Sequence, residues 1–110
     1  MNLLQNPINL YGEKFREIEG YEGYEISNYA RVRHYDSASK KQTIVTPYYD
    51  ETLCPYVVIP VETFSNVLRL KFLVAQAFLG YKMGSETHIV VNTKQYLSYA
   101  GLSNIQVIPL

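Results

Sequence analysis

"GYEGYEISNYARVRHY", residues 20–35, decides how this chain folds. It holds four tyrosines, two glycines, a Ser-Asn pair and an alternating basic run. Alternation of period two is the mark of a strand with one buried face. In "YEIS" it places Tyr24 and Ile26 together. In "RVRHY" it sets Val32 and His34 opposite Arg31, Arg33 and Tyr35. The short "NYA" between the two runs is a turn signal, so the stretch predicts a β-hairpin. Across such a hairpin Glu25 comes near Arg31 or Arg33, a modest cross-strand pairing.

Upstream, residues 1–12 show no periodicity and contain Pro7, which reads as an extended lead-in. "EKFREIEGY" spaces Phe15 and Ile18 three apart and stops at Gly20, which suits a short helical turn or a strand equally. Downstream, "DSASKKQ" is a polar loop and "TIVTPYY" a strand weakened by Pro47. "DETLCP" turns the chain into "YVVIPV", a buried strand whose Pro60 implies an edge or a bulge. "ETFSN" then reads as a hairpin loop before the strand "VLRLK".

The helix signal lies in "LKFLVAQAFLGY". Leu70, Leu73, Val74, Ala77 and Phe78 recur at the spacing of one buried stripe, and Gly80 is placed to end it. "THIVVN" reads as a strand and "TKQYLSYAG" as a second short helix, with Thr93 as N-cap and Gly101 at its end. "NIQVIPL" closes as a strand. The pattern predicts an α+β fold of antiparallel β-hairpins with two short helices.

Composition bounds the function. The 110 residues make one domain, or two small ones sharing a core. A single cysteine, Cys54, excludes an internal disulfide and a cysteine-based zinc site, and reads as a small buried residue. No run is long and apolar enough for a membrane span. "MNLLQNPINL" lacks the basic start of a signal peptide. A cytoplasmic protein with no membrane partner is expected. Ten basic residues balance ten acidic ones, which argues against a non-specific DNA binder held by overall charge. The balance is local, however: residues 13–25 carry five glutamates, whereas 31–41 carry Arg31, Arg33, Lys40 and Lys41 against Asp36 alone. Eleven tyrosines suit half-buried strand faces and interfaces alike.

Two stretches carry a family resemblance. "IEGYEGYEISNYARVR" resembles the signature of the nuclease-associated modular DNA-binding domains, the NUMOD class. There an acidic Gly-Tyr-Glu run precedes a Ser-Asn turn and a Gly-x-Val-(Arg/Lys) strand. "YVVIPVETFSNVLRLKFLVAQAFLGY" is similar to the strand-hairpin-helix opening of HNH homing endonucleases of phages and bacteria. The resemblance implies a lead-in (1–12), a NUMOD-like hairpin module (13–50) and an HNH-like ββα module (51–110). Ala30 stands where the signature has glycine, which implies a strained or altered turn.

HNH nucleases use a histidine as general base beside one divalent metal. The resemblance matches that histidine to His88 and a metal-binding asparagine to Asn104. Thr87, however, replaces a carboxylate or amide ligand, Val90-Val91 replaces Asp-Gly, and Lys71 replaces a helix-opening histidine. These losses imply a degenerate metal site and a catalytically inactive chain that acts by binding, with no cofactor. His88, Asn104 and a divalent ion such as magnesium matter only in a weakly active nicking enzyme. Double-stranded DNA is the first partner expected, with Arg31, Arg33, Lys40 and Lys41 on phosphates and Tyr29 and Tyr35 at the groove. The alternative is a host-takeover or anti-defence factor that binds a host protein or a small ligand, which suits a neutral, tyrosine-rich surface.

Overall fold

The computed structural model of the chain describes residues 10–61, 64–94 and 98–110, with Phe64 described by its backbone alone. Most of the expected lead-in lies outside these residues. So does the centre of the second expected helix, at 95–97.

Four strands form the first antiparallel sheet in chain order: β1 (Phe15–Glu17), β2 (Tyr24–Ser27), β3 (Val32–Asp36) and β4 (Lys41–Val45). The hairpin expected at residues 20–35 is β2–β3, with Glu25 opposite Arg33 and Ile26 opposite Val32. The ambiguous "EKFREIEGY" resolves as a strand, Phe15 pairing Ser27. So short a segment cannot repay helix nucleation, whereas the open edge of β2 offers it ready backbone partners.

The second sheet runs β5 (Tyr48–Tyr49), β6 (Pro55–Val61), β7 (Phe64–Arg69). Here β5 pairs only with Pro55 and Tyr56. Among the described residues the half of β6 that holds Pro60 has no strand on one side, where a residue without an N–H is tolerated. No loop separates β7 from α1 (Leu70–Leu79), and Leu70, expected as a strand residue as well as a stripe member, is already helical. Leu70, Leu73, Val74 and Ala75 are buried, while Ala77 and Phe78 pack against the core partly exposed. Gly80 closes the helix in the left-handed region, φ 71°, its N–H on the Ala75 carbonyl.

The third sheet pairs β8 (His88–Asn92) with β9 (Ile105–Pro109). Before β9 lies a 3-10 turn, Leu102–Asn104, and Gly101 caps its start. This differs from the expected role of Gly101 as a helix end.

One hydrophobic core joins the three sheets to α1. Ile18, Ile26 and Val32 come from the first sheet and its connections, Val57 and Ile59 from the second, Leu73 and Val74 from α1, and Val90 and Ile105 from the third. Polar contacts reinforce the joins. Asn66 on β7 donates to the Tyr21 hydroxyl at 2.8 Å. Arg16 donates to the Ala77 carbonyl at 2.6 Å and lies over the Phe78 ring. No helix among the described residues is long and apolar enough to cross a membrane.

Candidate functional site

The β2–β3 turn is wired into the molecule through its Ser27-Asn28 pair. The Ser27 hydroxyl accepts the N–H groups of Tyr29 and Arg31, each at 3.1 Å, and Ser27 is fully buried. The Asn28 side chain accepts the Lys14 N–H at 2.8 Å and donates to the Gly12 carbonyl at 3.3 Å. Its own carbonyl accepts the Leu102 N–H at 2.8 Å. A single short turn thus ties segments from both ends of the described chain.

The turn closes through Ala30 at φ 60°. Its N–H reaches the Ser27 carbonyl at 3.0 Å, the form of a turn followed by a left-handed bulge residue. Glycine suits that position, so alanine holds it against backbone strain. Of the strained or altered turn that the sequence implies, the left-handed Ala30 is the strained alternative.

Arg31 and Arg33, expected as phosphate contacts, are both engaged within the fold. Arg31 grips Glu13 with two nitrogens, at 2.9 and 2.6 Å, and the Glu13 side chain is fully buried. Burial works against the Glu13 charge, but Arg31, the Ser27 hydroxyl and the Leu10 N–H outweigh it and hold the carboxyl below its ordinary value. Arg33 pairs with Glu25 at 2.7 Å, the cross-strand pairing expected, and stacks on Phe15 at 3.8 Å. Tyr29 is half-buried, its hydroxyl donating to the Tyr11 carbonyl at 2.6 Å.

The β3–β4 tip is different. Lys40 and Lys41 are exposed, and among the described residues neither has an ion-pair partner. Asp36 shapes the loop, accepting the Ala38 N–H at 3.0 Å and the Ser39 hydroxyl at 3.1 Å. These bonds, the Ala38 one first, hold its carboxyl below the usual range. Lys40 takes φ 57° and swings the chain into β4. Tyr35 stands beside the tip, 45% exposed, on the same strand face as Arg33.

His88 and Asn104 are not brought together. His88 opens β8 opposite Pro109, and Asn104 lies beyond the far end of the hairpin, where Asn92 pairs Ile105. The separation along the strand is roughly 13 Å. His88 is exposed, its Nδ1 at 2.9 Å from the Thr87 hydroxyl. Asn104 is buried, and its amide is used inside the fold: the oxygen accepts the Lys94 N–H at 3.0 Å and the nitrogen donates to the Tyr99 carbonyl at 2.8 Å. Among the described residues no three His, Cys, Asp or Glu side chains converge on a cation position. The His88–Asn104 set does not fit a shared divalent metal.

Sequence reasoning missed Glu13 and Asn28. Glu13 lies eighteen residues before Arg31, beyond the reach of any periodic pattern. Asn28 carries a turn signal but nothing that announces its bonds to Lys14 and Leu102.

Residues 13–61 match the family model of the NUMOD4 motif. The fold is similar to that of a solved structure described as "DNA binding and cleavage by the HNH homing endonuclease I-HmuI", with a TM-score of 0.68 and 22% identity over 86% of this chain. The chain spans about half, 52%, of that protein's length. A sequence search of curated proteins gave no match. A stretch that matches the NUMOD4 motif, residues 13–61, therefore lies in an α+β fold similar to that of an HNH homing endonuclease.

Proposed function

We propose that this chain binds double-stranded DNA through the exposed β3–β4 hairpin of its NUMOD4 region, and that it binds without cutting. The observation that carries this reading is the Lys40-Lys41 tip: two exposed cations, without an ion-pair partner among the described residues, at the end of a hairpin, with Tyr35 beside them. Phosphate contacts of this kind fix a protein on the duplex. Tyr35 is placed to reach the groove. Arg31 and Arg33 act chiefly by stiffening the hairpin, and Arg33, on the Tyr35 face, approaches phosphate as a secondary contact. With zero net charge, attraction comes from this local patch alone, so binding is modest and salt-sensitive.

The absence of cutting is supported by the distance between His88 and Asn104 and by the internal use of the Asn104 amide. The test is a supercoiled plasmid incubated with the protein and magnesium or manganese, alongside duplex binding at low salt. The reading expects a retarded duplex and intact plasmid. Nicking that disappears in His88→Ala would overturn the inactive part, and absence of duplex binding at low salt would overturn the whole.

A further inference from the structure

A cavity of about 240 Å³ opens at the seam of the first two sheets. Tyr29 and Arg31 enter it from the β2–β3 turn, Tyr49 from β5 and Tyr99 from the segment before the 3-10 turn, over buried Val32 and Val57. Two of the aromatic walls are held in place. The Tyr29 hydroxyl is tied to the Tyr11 carbonyl. Tyr99 lies against Gly101, where a Cβ would sit 2.1 Å from the ring, and its carbonyl is fixed by Asn104. Tyr49 and Tyr99 remain 53% and 39% exposed, and among the described residues their hydroxyls have no hydrogen-bond partner.

Among the described residues the one charged group on the wall is Arg31, and Glu13 answers its charge. A free anion therefore finds no net attraction. Three tyrosines over an apolar floor suit a flat uncharged ring that stacks on them.

We propose that this cavity is a nucleobase-binding site. The choice of a nucleobase among flat rings rests on the DNA reading above; the cavity itself does not. The base can come from a free nucleoside or from an unpaired position in DNA. From Val32 at the cavity to Asp36 at the tip, β3 spans roughly 13 Å, about four base-pair rises, so both sites can engage one duplex.

The test tracks the methyl NMR signals of Ala30, Val32 and Val57 in the full chain. Each of the four deoxynucleosides is titrated first, then duplexes with one bulged base, with full pairing, or with an abasic site. The expectation is saturable movement of these methyls with at least one nucleoside or with the bulged duplex, and none with the abasic one. Tyr49→Ala and Tyr99→Ala should each weaken it about tenfold, the scale of a lost base–aromatic stack. The far-UV spectrum confirms that the variants remain folded.

Still methyls with every nucleoside and with the bulged duplex overturn the site. So does movement undiminished in both tyrosine variants, or equally tight binding of tyrosine amide, which would mark a groove for a protein side chain. Nucleoside binding without any duplex binding supports the cavity and sinks the DNA reading. Duplex binding through Lys40 and Lys41 with still methyls does the reverse.

Discussion

The two loops of the β2–β3–β4 meander close with the same backbone device and serve different ends. Each ends in a non-glycine residue in the left-handed region, Ala30 at φ 60° and Lys40 at φ 57°. Around Ala30 the turn is bonded to Gly12, Lys14 and Leu102. Around Lys40 the loop is exposed, and the side-chain bonds that shape it come from its own Asp36. The recognisable letters of the signature, Tyr-Glu-Ile-Ser-Asn, run along β2 into the first loop. Most of them specify how the hairpin is held. The exposed lysines sit in the second loop, which the signature does not specify. A motif can be conspicuous because its scaffold is demanding, and on the proposed reading its contacts with DNA lie a few residues on.

Stability measurements can break this comparison. The largest effect is expected in Arg31→Ala, which leaves the buried Glu13 carboxylate without its cation. Loss of one partner of a buried pair costs about 3 kcal/mol, and urea unfolding should show it as a lower midpoint. An unchanged midpoint would mean that the first loop is no keystone. A lowered midpoint would mean that lost DNA binding in Arg31→Ala reports folding before it reports a phosphate contact.

Ser27→Ala should come next. It strands the Tyr29 and Arg31 N–H groups in a buried site, at about 2 kcal/mol. Equal stability of Ser27→Ala and wild type would show that water replaces the hydroxyl, and the wiring would count for little.

Acid sharpens the same point. The Glu13 carboxyl is held below its ordinary value of 4.5 in the folded chain. Between the two values the unfolded state binds more protons, so stability rises with pH. The Glu13 contribution is complete above the ordinary value and is lost as pH falls through the lowered one. Wild type should therefore lose more stability than Glu13→Gln between neutral pH and the acid limb. Parallel curves would place the acid sensitivity elsewhere, with Asp36 and Asp50, whose carboxyls are also held low.

The smallest stability effect is a gain. Ala30→Gly relieves the left-handed strain and should stabilise the chain by about 0.5–1 kcal/mol. A loss in thermal unfolding would show that the Ala30 methyl, which packs into the core, outweighs the strain.

Much of this was legible before the structure. The β2–β3 hairpin came from its alternation, the Ala30 strain from a missing glycine, and α1 with its Gly80 end from the 3.6-residue stripe. Each is encoded by neighbours in sequence. The site residues were harder. Arg31 looks like a surface cation in a local reading, and only the fold brings Glu13 to it. Glu25 was foreseeable because it sits across one hairpin. Glu13 was not, because its segment reaches Arg31 only once β1 has docked on β2. The distance between His88 and Asn104 was equally hidden, since it depends on the register of β8 on β9. Gly101 looked like a helix stop, whereas it opens the 3-10 turn. Glycine marks a break in the chain's regular structure and does not distinguish the end of one element from the start of another.

The most direct measurement is the salt dependence of duplex binding, by fluorescence anisotropy, for wild type and a Lys40→Ala/Lys41→Ala variant. The account predicts that wild type binds at low salt and weakens as salt rises. The double variant should lose affinity, its log–log salt slope should fall by about 2, and its unfolding free energy should stay within about 0.5 kcal/mol of wild type. An unchanged slope and affinity in the double variant would contradict the claim that the β3–β4 tip is where this chain meets DNA.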